Sequence, residues 1–236
     1  MSLNNLLLNV KQFLFPSSCA ICRKNLADTD EIRYSLCAKC MQSITPMEGA
    51  KCNICGKPLI SEIDTCLSCR NKENKSCNRL WVIYPYTGKY RKLLTAYKFH
   101  KNLSIADFFA DKILDIINEN LCLKDAEIIP VPPRPGKIKD TGWDQVDYLL
   151  KRLKKNGMEQ TINNCLKRSK SKIQKSLNRK ERLENLKGRI YLEGNSPKNV
   201  LIIDDVITTG STMEVCAGAL KDGGAENVYG LCLFYD

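Results

Sequence analysis

The chain has 236 residues, 43% of them hydrophobic, and its 37 Lys and Arg outnumber its 26 Asp and Glu to give a net charge of +11. This hydrophobic content is typical of a globular protein and excludes an intrinsically disordered one. No stretch approaches the roughly 18 uncharged apolar residues of a membrane-spanning helix. The length allows one fair-sized domain and a small one, and the charge is compatible with an anionic partner.

The amino-terminal segment has the spacing of an amphipathic helix. Its apolar side chains recur at helical intervals on one face, namely Leu3, Leu6, Leu7, Val10, Phe13 and Leu14. Asparagines and Lys11 interrupt any signal-peptide core, and no small-residue cleavage site precedes Pro16. We predict a packed helix over residues 1–16, with a membrane-surface anchor as the alternative.

Eight of the thirteen cysteines form four C-x-x-C pairs before residue 70. Two thiolates at this spacing can bind zinc from one tight turn, and two such turns complete a tetrahedral structural site. The predicted ligands are Cys19, Cys22, Cys37, Cys40, Cys52, Cys55, Cys66 and Cys69. We predict a double zinc ribbon over residues 17–70 holding about two zinc ions. Consecutive pairing of the four pairs is favoured, and the spacing leaves interleaved pairing open.

The remaining five cysteines are scattered singly through apolar segments. An odd cysteine count with this placement favours a reducing cytoplasm over a disulfide-bonded secreted protein. We therefore predict a cytoplasmic protein without membrane insertion. The polar residues 71–79 are predicted to be a linker to a second domain over residues 80–236.

The second domain alternates strand and helix patterns. Hydrophobic runs predict strands near residues 81–86, 128–129, 162–166 and 200–203. Helical spacing predicts helices near residues 90–99, 104–118, 143–154 and 213–220. This pattern indicates an α/β domain whose mostly parallel sheet is flanked by helices.

The most informative stretch runs from residue 200 to residue 212. Its strand ends in two carboxylates, and a glycine-centred run of hydroxyl residues then leads directly into a helix. Backbone N–H groups at a helix N-terminus bind phosphate, and carboxylates at the carboxyl end of a strand can accept hydrogen bonds from a sugar diol. The stretch therefore predicts a ribose 5-phosphate site. Its candidate residues are Asp204, Asp205, Thr208, Thr209, Gly210, Ser211 and Thr212.

A basic segment precedes this site. Residues 167–189 contain ten Lys or Arg and two Glu, a net charge of +8. An anionic ligand beside the predicted strand would need such cations, whereas a solvated basic loop is the alternative.

Residues 200–212 resemble the phosphoribosyl pyrophosphate loop of the type I phosphoribosyltransferases. The chain as a whole resembles the ComF family, competence-associated zinc-ribbon proteins related to amidophosphoribosyltransferases. Thr141 and Asp144 stand where that family commonly has Arg and Asn. Besides the zinc module and the acidic loop, the matching features are the helix Tyr86…Lys98, the strand Ile129-Pro-Val-Pro132, Gly142-Trp143-x-Gln145, Arg168…Gln174 and Arg182-x-x-Asn185.

The resemblance implies a type I phosphoribosyltransferase fold that binds phosphoribosyl pyrophosphate with magnesium. It implies a glycosyltransferase of nucleoside metabolism, in which a nucleophile displaces pyrophosphate from the anomeric carbon of the ribose. Arg134 is then expected to support the leaving group, with Lys170, Lys172 and Arg179 closing over it as a lid. A role in DNA uptake and competence would follow.

Two other interpretations stay open. In one, the protein is catalytically silent, binds single-stranded DNA and keeps the loop as a ligand sensor. In the other, the zinc ribbon docks on another subunit of the competence machinery. The acceptor of the transfer reaction cannot be read from these motifs.

Overall fold

The computed structural model of the protein describes residues 17–71, 77–169 and 189–236. The predicted helix over residues 1–16, the middle of the predicted linker, and the lid residues Lys170, Lys172 and Arg179 lie outside these ranges. The division into domains at residues 71–79 stays a prediction, since β-structure already begins at Arg79.

The described ranges contain a four-stranded parallel sheet and a separate antiparallel hairpin. The strands in chain order are β1 (Arg79–Pro85), β2 (Glu127–Pro130), β3 (Leu166–Arg168), β4 (Ile190–Leu192), β5 (Asn199–Ile207) and β6 (Asn227–Tyr235). The large sheet has the order β1-β6-β5-β2, and β3 pairs with β4 in the hairpin. The predicted parallel α/β architecture is thereby confirmed.

The helices of the described ranges fall into a short amino-terminal set and a longer set around the sheet. They are α1 (Thr29–Tyr34), α2 (Ala38–Ser43), α3 (Leu67–Arg70), α4 (Gly88–Lys98), α5 (Ile105–Glu119), α6 (Lys137–Thr141), α7 (Gln145–Lys155) and α8 (Ser211–Asp222). A 3₁₀ turn at Leu121–Leu123 follows α5. None of the described helices is both long and apolar enough to span a membrane.

The central strand β5 is buried on both faces, as its apolar run predicts. Leu201 and Ile203 face the core shared with α4, α5 and α7, whereas Val200 and Ile202 face the core shared with α8 and the hairpin. The segment after β2 continues to α7 on one face, and the segment after β5 continues to α8 on the other. The carboxyl ends of β5 and β2 therefore form a topological switch point, where ligands bind in open α/β sheets.

The strand predicted at residues 162–166 is wrong in position. Ile162 makes a single bridge to Ile128, and the strand itself covers Leu166–Arg168 in the hairpin. Its partner β4 and the long edge-proximal strand β6 were not predicted. The helices predicted in residues 80–236 and the other strands are confirmed, with ends shifted by one to a few residues.

The amino-terminal module packs on the α/β domain through contacts from both of its halves. In its first half, Tyr34 Oη donates to Asp111 on α5 at 2.6 Å and its ring meets Phe108 edge-on at 5.9 Å between centroids. In its second half, Met47 N–H donates to the Ile83 carbonyl of β1 at 2.7 Å. The first contact joins the module to the main hydrophobic core.

Candidate functional site

The eight paired cysteines form two separate clusters. Within each cluster the four sulfur atoms lie within 4.8 Å of one another, and the pairing is consecutive. The Cys22–Cys37 and Cys55–Cys66 sulfur distances are both 3.7 Å. A tetrahedral zinc ion with Zn–S bonds of about 2.3 Å separates its sulfur ligands by about 3.8 Å. The donor set and its spacing therefore fit zinc, and we name the clusters ribbon 1 (Cys19, Cys22, Cys37, Cys40) and ribbon 2 (Cys52, Cys55, Cys66, Cys69).

Each ribbon begins with a turn that presents backbone amides to a sulfur. Arg23 and Gly56 hold equivalent places after the second cysteine of their turns and have φ values of 66° and 69°. Although burial raises the pKa of the Cys19 and Cys52 thiols, hydrogen bonds from backbone amides outweigh it and lower each pKa to about 7. Each turn thus favours the thiolate at its first cysteine, and the thiolate is the form that binds metal.

A second site lies at the switch point. A small crevice of about 40 Å³ lies where β5 gives way to α8, and Asp204 and Cys232 line it together with residues 206–213. Cys232 is the direct neighbour of Asp204 on β6. Asp204 and the hydroxyl-rich turn therefore share one opening at the carboxyl edge of the sheet.

The turn leaves the start of α8 open to a ligand. Gly210 occupies the N-cap position with φ 76° and provides no side-chain cap for the first amides of the helix. The Thr209 and Ser211 hydroxyls lie 2.9 Å apart on the same turn. The Ser211 N–H makes only a long hydrogen bond of 3.4 Å to Thr209 Oγ1, so the amides and adjacent hydroxyls at this helix N-terminus make a binding site for an anion such as phosphate.

The two carboxylates do not point the same way. Strand β5 continues through both of them to Ile207, so successive side chains alternate between the faces of the sheet. Asp204 lines the crevice, whereas Asp205 is turned to the other face and accepts hydrogen bonds of 2.6 Å from both Lys98 Nζ and Gln145 Nε2. The backbone N–H of Asp205 donates to Asp204 Oδ1 at 2.8 Å.

Asp205 belongs to a chain of polar contacts that reaches α7. Gln145 is buried, and its amide oxygen accepts from Lys137, whose ammonium also donates to Asp144 at 2.5 Å. Asp144 in turn caps α7 by accepting from two backbone amides. Lys98, Asp205, Gln145, Lys137 and Asp144 thus form a continuous network, which we call the Asp205 network.

The surroundings of the two carboxylates move their pKa values in opposite directions. Burial and the neighbouring charge of Asp205 raise the pKa of Asp204 well above its ordinary value. Burial would also raise the pKa of Asp205, but the Lys98 ammonium and the Gln145 amide outweigh it and hold that pKa below its ordinary value. One carboxylate is therefore built into the fold, and the other is left for a ligand.

The predicted leaving-group residue Arg134 follows β2 at the same edge of the sheet. Its guanidinium is half exposed and pairs with Asp140 of α6 at 2.7 Å. The switch-point topology thus brings Arg134 to the carboxyl edge, and the described contacts place it on α6 rather than in the crevice.

Arg168 is a candidate site residue that was not among the predicted functional side chains. Leu192 of the hairpin packs at Gly223, the C-cap of α8, so the other end of β4 and its partner Arg168 lie towards the start of that helix. Burial lowers the pKa of Arg168, which also interacts electrostatically with Cys216, Arg189 and Asp204. Among the described residues Arg168 has no ion-pair partner. The sequence signal that could have identified Arg168 is the Arg168…Gln174 motif, which matches the ComF family.

Comparison with known proteins agrees with this arrangement. The double zinc ribbon domain family matches residues 10–78. Competence protein F of Haemophilus influenzae is 29% identical over 224 residues, covering 91% of this chain and 95% of the relative. The DNA utilization protein YhgH of Escherichia coli is 28% identical over 92% of this chain and 96% of the relative. Competence protein ComFC of Streptococcus pneumoniae is 25% identical over 82% of this chain and 84% of the relative.

These similarities support a ComF family protein. Its two four-cysteine clusters are the zinc sites of the family's double ribbon. The Asp144 position, where ComF proteins commonly have Asn, keeps a helix-capping function, because Asp and Asn are equally good N-caps. Family membership therefore does not depend on the identity of that residue.

We expect Asp204→Asn to stabilise this ComF protein at pH 7 by about 1–2 kcal/mol, because it removes a carboxylate whose charged form the fold disfavours. The destabilisation by a carboxyl group with a raised folded pKa is complete above that pKa. It decreases as the pH falls and disappears below the pKa that the group has in the unfolded chain. The gain should therefore shrink as the pH falls towards 4, near the carboxyl pKa of the unfolded chain. Urea unfolding of both proteins between pH 4 and pH 8 measures this; a pH-independent difference contradicts it.

Proposed function

We propose that this ComF protein binds phosphoribosyl pyrophosphate in the crevice beside Asp204 and transfers its ribose 5-phosphate to a nucleophilic acceptor. The observation that carries the proposal is the shared opening of Asp204 and the turn over residues 208–212 at the N-terminus of α8. A ligand with one phosphate, which accepts hydrogen bonds from the turn, and one diol, which donates hydrogen bonds to Asp204, is a sugar phosphate.

In the proposed reaction the anomeric C–O bond to pyrophosphate breaks, a bond from the acceptor forms at the same carbon, and the acceptor loses a proton. The turn would hold the 5-phosphate, and Asp204 would orient the ribose hydroxyls. Asp205 would act through the network, by fixing the end of β5 rather than by touching the sugar. Magnesium, held by ligand oxygens and Asp204, would neutralise charge on the leaving pyrophosphate.

The cations around the crevice are proposed to serve that leaving group. Arg168 could contact the pyrophosphate, since its guanidinium is partly buried and interacts with Asp204. Arg134 could join it by leaving Asp140, an exchange between exposed partners that costs little. Lys170, Lys172 and Arg179 stay candidates for the lid from their position in the sequence.

The test is isothermal calorimetry of the full chain with phosphoribosyl pyrophosphate and, separately, ribose 5-phosphate in the presence of Mg²⁺. Both should bind, and Asp204→Asn should weaken both by about 10–100-fold, the value of hydrogen bonds to a charged group. The control is Asp222→Asn, which removes an exposed carboxylate at the far end of the same helix. Unchanged binding in the Asp204 variant would overturn the site.

Because Asp204→Asn is expected to stabilise the fold, a loss of binding cannot be attributed to unfolding. Transfer itself is tested by release of pyrophosphate in the presence of ammonia, amines and nucleobases. Binding without release in any of these mixtures would favour the ligand-sensor interpretation over an enzyme.

The relatives named for competence and for DNA utilization indicate the cellular process. We propose that the phosphoribosyl site works in the handling of incoming DNA, on the cytoplasmic side, with other competence proteins as partners. Disrupting Asp204 in the cell should then lower DNA uptake or use while leaving the zinc content of the protein unchanged.

A further inference from the structure

The outer face of α4 combines positive charge with exposed aromatic groups. Residues 77–106 contain six Lys or Arg and no Asp or Glu, although the whole chain has 26 acidic residues. Helix α4 lies in the middle of this segment and buries only its apolar face, through Leu93, Leu94, Ala96 and Tyr97. Its opposite face consequently carries basic side chains and no acidic one.

Three of the cations on this segment are already engaged in the fold. Lys89 donates to the Ser43 carbonyl, Lys98 pairs with Asp205, and Arg79 stacks on Trp81 at 4.7 Å. Arg91, Lys92 and Lys101 are different, because they are exposed and form no ion pair with any described residue. These three positive charges are therefore exposed to solvent and are not neutralised by any described acidic side chain.

Aromatic rings lie among these cations. Phe99 directly follows α4 and is 66% exposed, so most of its side chain faces solvent. Tyr86 precedes the helix, is half-buried, and holds the Arg91 guanidinium 5.7 Å from its ring centre. Arg91, Thr95 and Phe99 follow one another at four-residue intervals, so they lie on one stripe about 12 Å long.

We propose that the outer face of α4, formed by Tyr86, Arg91, Lys92, Phe99 and Lys101, binds single-stranded nucleic acid. Phosphates would pair with the three cations, and an unstacked base would stack on Phe99. Duplex DNA fits this surface poorly. Its bases are already stacked on one another, so the duplex offers this surface only its phosphates. The basic segment over residues 167–189, by contrast, lacks interleaved aromatic residues.

This inference does not rest on the proposed transfer reaction. The two sites are neighbours, since Lys98 at the end of the same helix contacts Asp205. A strand on α4 would therefore pass close to the carboxyl edge of the sheet, whether or not the crevice holds a sugar phosphate.

The experiment measures fluorescence anisotropy of labelled dT20, rU20 and a 20-base-pair duplex with the full chain at several salt concentrations. Single strands should bind at least tenfold more tightly than the duplex. Arg91→Ala/Lys92→Ala should weaken binding and reduce the slope of log affinity against log salt by about 1.4, because each neutralised phosphate contributes about 0.7. The preference between dT20 and rU20 identifies the type of strand.

Phe99→Ala should weaken single-strand binding about tenfold without changing the salt slope, and Phe99→Trp should retain it. Since all three residues are exposed, these variants should fold normally. The matched control is Lys124→Ala/Lys155→Ala, which removes two exposed charges at the opposite edge of the sheet. Equal effects of the two double variants, duplex binding as tight as single-strand binding, or binding to anionic lipid vesicles in place of oligonucleotides would overturn the proposal.

Discussion

Cys37→Ser should destabilise the whole α/β domain, whereas Cys66→Ser should affect little beyond its own ribbon. Three of the four cysteines of ribbon 1, including Cys37, belong to the hydrophobic cluster that contains Tyr84, Phe108 and Phe234. The cysteines of ribbon 2 form a small cluster of their own. Because zinc binding and folding of such modules are one process, losing a ligand removes the module's order together with the metal.

We expect Cys37→Ser to lower the free energy of unfolding by about 3–5 kcal/mol, which lowers the melting temperature of a chain of this size by about 10–15 °C. Cys66→Ser should release one zinc ion and leave the main thermal transition within a few degrees. Metal analysis and calorimetry of both variants provide the measurement. Cys122→Ser, at an exposed cysteine outside both ribbons, is the control. Equal losses of stability in the two ribbon variants would contradict the distinction.

Lys98→Met should cost about 3–5 kcal/mol, because it leaves the buried carboxylate of Asp205 without its cation. Asp205 is only 6% exposed, so water cannot replace the lost partner. Adding Asp205→Asn to Lys98→Met should recover a large part of the loss, since the remaining amide carries no charge. Equilibrium urea unfolding of the single and double variants measures both effects.

The pH dependence provides an independent check of the same pair. The folded pKa of Asp205 is depressed, so its contribution is fully present above the unfolded value near 3.9 and is lost as pH falls through the folded value. The difference between the wild-type protein and Lys98→Met should therefore shrink below about pH 4. A difference that stays constant from pH 7 to pH 3 would show that the ion pair is not its source.

The motifs whose residues lie close together in the sequence could be predicted. The cysteine turns need only short spacings, and the order of strand, acids, hydroxyl turn and helix near residue 204 is contained in thirteen consecutive residues. The different roles of Asp204 and Asp205 could not be predicted in this way. They depend on β5 continuing to Ile207 and on Lys98, which lies 107 residues earlier in the chain.

The strands missed from sequence have a physical reason as well. Gly230 lies in the middle of β6 because a Cβ atom there would meet Leu80 Cδ1 at 2.5 Å, and an internal glycine weakens a strand pattern. The hairpin strands have three residues each, too few for alternation to be recognised. Arg168 was overlooked as a site residue because its position depends on how this hairpin packs against α8.

Asp111 accepts hydrogen bonds from Arg33 and Tyr34 of the amino-terminal module and from Asn156 after α7. The Asp111 carboxylate thus links the amino-terminal module to the α/β domain. A truncated expression product that starts at residue 80 would leave Asp111 with Asn156 alone and expose the ring of Phe108 to water. The boundary that looks natural in the primary structure is therefore a poor place to cut the gene.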